Sequence, residues 1–109
     1  MATVAFSINP APTFEAAVSI PRAGGEPAVI TLVFQHKSRA DLEAYLLRAG
    51  KADADQEGAL LTEIVAGWSG VAEPYSEEHL GMLLANYPGA AKAVITGYLE
   101  ELTQARRKN

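Results

Sequence analysis

Residues Pro21 to Asp41 read PRAGGEPAVITLVFQHKSRAD: a turn, a strand and a helix start in succession. Pro21–Pro27 is crowded with turn formers, and Gly24-Gly25 supplies positive φ at no steric cost. Val29–Gln35 (VITLVFQ) is rich in β-branched residues and alternates Ile30, Leu32 and Phe34 against Val29, Thr31 and Val33. Upstream, Phe14–Ile20 (FEAAVSI) is a shorter run of the same kind, so the two segments read as a β-hairpin with a long loop. A two-stranded hairpin is marginal in water, so one of its faces must pack on helices. The helices begin at once: Ser38 followed by Asp41 resembles a capping box with aspartate in the usual glutamate position.

Everything after His36 reads as helix. Leu42, Tyr45, Leu46 and Ala49 fall at i, i+3, i+4 and i+7, and Gly50 stops the first helix. A second is expected over residues 54–66, with Leu60, Leu61, Ile64 and Val65 apolar and Trp68 just past Gly67. Ser76 caps a third, with Glu77 and Glu78 in its first turn. Leu80, Leu83, Leu84 and Tyr87 form its stripe, and Pro88-Gly89 ends it. A fourth runs from about Ala90 to Arg106, with Ala91, Val94, Ile95, Tyr98, Leu99 and Leu102 on one side. Ahead of the hairpin, Pro10 and Pro12 mark an extended arm with a short edge strand at Thr3–Ile8. The expected fold class is α+β: one domain over 1–109, with an N-terminal β-hairpin (14–36) packed on a C-terminal bundle of about four helices (37–106). The arm (1–13) and a basic tail (107–109) complete it.

Charge is segregated along the chain. Of 109 residues 20% are charged and the net is −4, yet residues 52–103 set nine carboxylates against Lys92 alone. That acidic block repels nucleic acid, whose binding depends on neutralising phosphates. The Arg106-Arg107-Lys108 end could touch nucleic acid, but cations at a helix C-terminus also complement its dipole. No uninterrupted apolar run approaches the roughly 20 residues of a membrane span. Met1–Pro10 has neither a basic start nor a long apolar stretch, so no secretory signal is expected.

Catalytic chemistry finds few residues to work with. Zero cysteines exclude disulfides, thiol catalysis and thiolate-bound metal. His36 and His79 lie far apart without a triad partner or a metal-binding spacing. Asp53, Asp55 and Glu57 alternate like a calcium loop and Gly58 sits at its sixth position. The twelfth is Ile64, however, with Glu63 one place short, so a solvated helix start is the better account. Ala23-Gly24-Gly25 lacks the lysine and following helix of a phosphate loop. No enzyme, cofactor or metal is expected.

The aromatics each carry two readings. Trp68, the single tryptophan, is either a plug closing the gap between helices or an interface anchor. Tyr45, Tyr87 and Tyr98 lie on the apolar stripes of their helices, whereas Tyr75 sits in a loop, freer to meet a partner. The candidate partner-binding residues are Trp68, Tyr75, Lys37, Arg39 and Tyr87.

The FQHKSR junction at Phe34–Arg39, the Gly67–Trp68 pair and NYPGAAKA at Asn86–Ala93 carry a likeness that extends over residues 14–109. On these pieces the chain resembles the small tail assembly chaperones of long-tailed bacteriophages and prophages. The resemblance implies a non-enzymatic protein of the host cytoplasm, absent from the mature virion. Its implied partners are the tape-measure protein, which it shields, and possibly the tail-tube protein. A helix-rich domain offering an apolar groove to a helical client is consistent with that role. A virion structural part, such as a tail-completion or head–tail joining component, would share this size and make-up. The free edge of a short hairpin also allows a homo-oligomer. Finally, the resemblance implies a second, longer product made by ribosomal frameshifting, and the polar end at Ala105–Asn109 would accept an appended domain.

Overall fold

The computed structural model of the protein describes residues 5–104. In it, β1 (Thr13–Ile20) and β2 (Ala28–Gln35) form the hairpin, paired antiparallel over eight positions from Thr13↔Gln35 to Ile20↔Ala28. Gly24 takes φ +73° in the connecting turn, a conformation only glycine adopts without strain. The alternation read in the sequence holds: Ile30, Leu32 and Phe34 are buried on one face together with Val18 and Ile20.

Helix α1 (Arg39–Lys51) starts where Ser38 Oγ accepts the Asp41 N–H at 3.2 Å. Asp53 and Gln56 then cap a 3₁₀ turn at Ala54–Gln56, which leads into α2 (Glu57–Ile64). The solvated helix start expected at Asp53 is therefore what forms. Helix α3 (Glu77–Asn86) begins with Ser76 Oγ accepting the His79 N–H at 3.0 Å, and α4 (Ala90–Thr103) follows after Pro88-Gly89. The architecture is α+β as expected, a sheet covered on one face by helices.

One element corrects the reading of the sequence. The second helix stops at Ile64, and the chain passes without a loop into a third strand, β3 (Val65–Ser69), antiparallel to β2. The sheet order is β1-β2-β3, so β2 is central, and Trp68 stands on a strand rather than past a helix end. Ile64 and Val65 extend the period begun by Leu60 and Leu61, which conceals the change of structure. The β-branched Val65 and the helix-weakening Gly67 favour it. Residues 5–12 carry no strand, so the expected edge strand is absent over its described part; Thr3 and Val4 lie outside the described residues. Helix α4 closes at Thr103, with Gln104 left-handed at φ 53°. The basic tail lies outside the described residues.

The core joins Leu32, Phe34, Tyr45, Leu61, Ile64, Leu80, Val94 and Tyr98, all essentially without solvent exposure. Two stripes are shallower than their spacing suggests. Leu46 is exposed, as is Leu47, so Tyr45 alone is fully buried from α1. Its hydroxyl donates to Leu60 O at 2.7 Å, while Arg48 and Glu63 form a two-point ion pair at 2.7 and 2.9 Å between the same helices. That pair is solvent-exposed, so screening by water leaves it a minor contributor to stability. Tyr87 falls just beyond the last turn of α3 and is exposed rather than core.

Glycines in the helices divide by surroundings. A Cβ at Gly97 would lie 3.0 Å from Val18 Cγ2, so α4 approaches β1 closely there. At Gly81, inside α3, a Cβ would meet nothing within 4 Å. Gly81→Ala should therefore stabilise the protein by about 0.5–1 kcal/mol through helix propensity alone. Denaturant unfolding checks this, and a destabilised variant would mean that α3 is not regular at this point.

Candidate partner-binding site

An open groove of about 510 Å³ lies between the turn end of the hairpin, the end of β3 and α3. Ile20, Ala28 and Ile30 form its sheet wall, Trp68 and Gly70–Glu73 its rim, and Met82, Leu83 and Tyr87 its helical wall. Met82 is 49% and Tyr87 37% exposed, so two large apolar side chains on this wall await cover.

The rim is held by three hydrogen bonds that reach into backbone carbonyls. The Trp68 indole N–H donates to Glu73 O at 2.9 Å, and the Tyr75 hydroxyl donates to Val65 O at 2.8 Å. His79 Nδ1 lies 2.7 Å from Pro74 O, and since a carbonyl can only accept, that nitrogen carries the proton. Tyr75 also meets Trp68 edge to face, centroids 5.2 Å apart at 87°. Burial raises the Tyr75 phenol above its ordinary value, with the Glu77 carboxylate adding to the shift. It stays a neutral donor. A loop tied this way presents a preformed wall, which reduces the ordering cost of binding.

The five residues singled out in the sequence separate into two groups. Trp68 and Tyr87 line the groove directly, and Tyr75 supports Trp68 from behind, so the loop tyrosine is tied down instead of free. Lys37 and Arg39 lie elsewhere, at the start of α1: Lys37 Nζ sits 5.2 Å from the Tyr45 ring centroid and Arg39 is exposed. Met82 was not singled out in the sequence. Its signal is an unbranched apolar residue lying off the Leu80–Leu83–Leu84 stripe, on a helix whose stripe is already filled.

Arg22, Glu73 and His79 are the charged or imidazole side chains of the groove, and the His79 ring is committed to Pro74. Among the described residues no three His, Cys, Asp or Glu side chains stand close enough to hold a metal ion, and no helix is long and apolar enough to cross a membrane. Fold and groove together define a small α+β domain that carries an open, apolar-walled cleft with a fixed rim.

The family model described as phage tail assembly chaperone matches residues 1–109, and the chain belongs to that family. No curated protein and no solved structure matches it.

Proposed function

We propose that this tail assembly chaperone is a non-enzymatic binding protein that takes a helical segment of the tape-measure protein into the Trp68–Met82–Tyr87 groove. In this reading it keeps the client soluble in the host cytoplasm until tail-tube subunits assemble, and it is absent from the finished virion. The observation that carries the reading is membership of the family over all 109 residues. Supporting it, a groove walled by Ile30, Leu83 and the flexible Met82 suits the apolar stripe of an amphipathic helix. The carboxylates of residues 52–103 keep such a complex soluble.

Co-expression with fragments tiled along the tape-measure protein tests it. At least one fragment should move from the insoluble to the soluble fraction when this chain is present. Unchanged solubility for every fragment would contradict the proposal. Mass spectrometry of purified virions separates it from the alternative of a virion structural component, which would be present in stoichiometric amount.

A further inference from the structure

The Trp68–Met82–Tyr87 groove has a direction and two unlike ends. His79, Met82, Leu83 and Asn86 line it at i, i+3, i+4 and i+7 of α3, so it follows that helix for two turns, about 10 Å. Glu73 stands at the start of α3: its backbone carbonyl accepts the Trp68 indole N–H, and the His79 ring bonds the carbonyl of the next residue, Pro74. Arg22 stands at the other end. Pro21, its neighbour in the chain, lies where a Cβ on Gly89 would come within 3.0 Å of Pro21 Cγ, which sets the hairpin turn beside the α3–α4 junction.

Both charges are open to a ligand. Arg22 and Glu73 are exposed, and neither forms an ion pair among the described residues. Arg22 is oriented all the same: its Nε donates to Glu26 O at 2.7 Å, which leaves the terminal amino groups of the guanidinium to meet a partner. Between the two ends the walls are apolar, with Ile30 on the sheet side and Met82 and Leu83 on the helix.

We propose that the groove selects its occupant by charge order: an amphipathic helix with a carboxylate at one end of its apolar stripe and a Lys or Arg about seven residues later, docked antiparallel to α3. The inference rests on the client-binding reading and adds which client segment is taken and which way it lies. The client carboxylate pairs with the Arg22 guanidinium, and the client cation pairs with the Glu73 carboxylate. A spacing of about seven residues matches the two turns of α3 that line the groove. Acid before base along the client also complements its own helix dipole. Its N-terminus then lies at the Arg22 end, against the C-terminus of α3, so the dipoles of the two helices oppose each other. Reversed, the same client would set its cation against Arg22 and its carboxylate against Glu73, and that repulsion rejects the wrong direction.

Calorimetric titration of the full chain with peptides tiled across the tape-measure protein is the test. The tightest-binding peptide should carry its carboxylate N-terminal to its cation by two helical turns. Arg22→Glu should weaken that peptide about fivefold or more, because a repulsion replaces an attraction. Changing the peptide carboxylate to lysine should do the same with the wild-type chain. The two changes together should restore affinity to within about twofold, a recovery that a damaged hairpin turn would not give. Glu73→Lys and the peptide cation form a second cycle of the same kind, and the Trp68 hydrogen bond survives it because it uses the Glu73 backbone. A tightest peptide with the opposite charge order, or a paired change that fails to recover, would overturn the proposal. So would Arg22→Glu and Glu73→Lys binding like wild type while Met82→Asp binds poorly, a result that leaves the client in the groove and removes only its charge order. Indifference to Met82→Asp, or no binding by any peptide, would remove the groove reading and this inference with it.

Discussion

Replacing Tyr98 by alanine should lower the unfolding free energy by about 3–5 kcal/mol, the range for deleting a buried aromatic side chain. Tyr98 has no solvent exposure and joins α4 to both hairpin strands. Its ring lies 5.0 Å from Phe34 and 5.9 Å from Phe14, centroid to centroid, and its hydroxyl donates to Gln35 O at 2.8 Å. Tyr98→Phe keeps the ring cluster and removes only the hydrogen bond, so its loss should be about 1 kcal/mol. Urea unfolding measures both, and near-equal losses would contradict the packing role. Alkaline titration supplies a further check. Burial pushes the Tyr98 phenol from 10.0 up to about 12, and burial, assisted by the Glu63 carboxylate, pushes Tyr45 in the same direction. The unfolded chain then gives up these protons before the folded one does. Stability from Tyr98 is full below pH 10 and declines as the pH rises through about 12, by roughly 2–3 kcal/mol. In Tyr98→Phe this part of the decline should vanish.

Leu80→Ala is the second large effect, expected at about 2–5 kcal/mol because Leu80 is 1% exposed in the centre of the helical layer. Leu84, on the same stripe, is only half-buried. Its truncation should cost no more than about 1.5 kcal/mol, since a partly solvated leucine has realised only part of its burial energy. Spacing alone ranks the two leucines equally. Measured losses in the reverse order would contradict the orientation of α3.

The hairpin, α1, α3 and α4 were legible because local signals agree: alternation in VITLVFQ, capping serines at Ser38 and Ser76, and Pro88-Gly89 between the last two helices. Strand β3 was hidden because its partner, β2, lies some thirty residues upstream. Nothing local distinguishes Val65 from one more helical apolar position. The same cause moved Trp68 from a helix end to a strand, where its indole reaches Glu73. Tyr87 fits the α3 stripe by number, but the helix ends one residue earlier and the ring turns outward. Lys37 and Arg39 stand at the junction of β2 and α1, away from the groove, which is defined by apolar exposure that sequence does not display. Met82 is the example: one methionine among leucines becomes a site residue only when its half-exposed position is seen.

The account turns on whether the Trp68–Met82–Tyr87 groove is the client site, and calorimetric titration with peptides tiled across the tape-measure protein tests that most directly. Met82→Asp leaves the core intact, since the side chain is already half-exposed, but puts a carboxylate on the apolar wall. The variant should keep the wild-type melting temperature and bind the same peptide at least about tenfold more weakly. Lys37→Glu, far from the groove, should bind within about twofold of wild type. Equal affinity for wild type and Met82→Asp would contradict the assignment of the client to this groove.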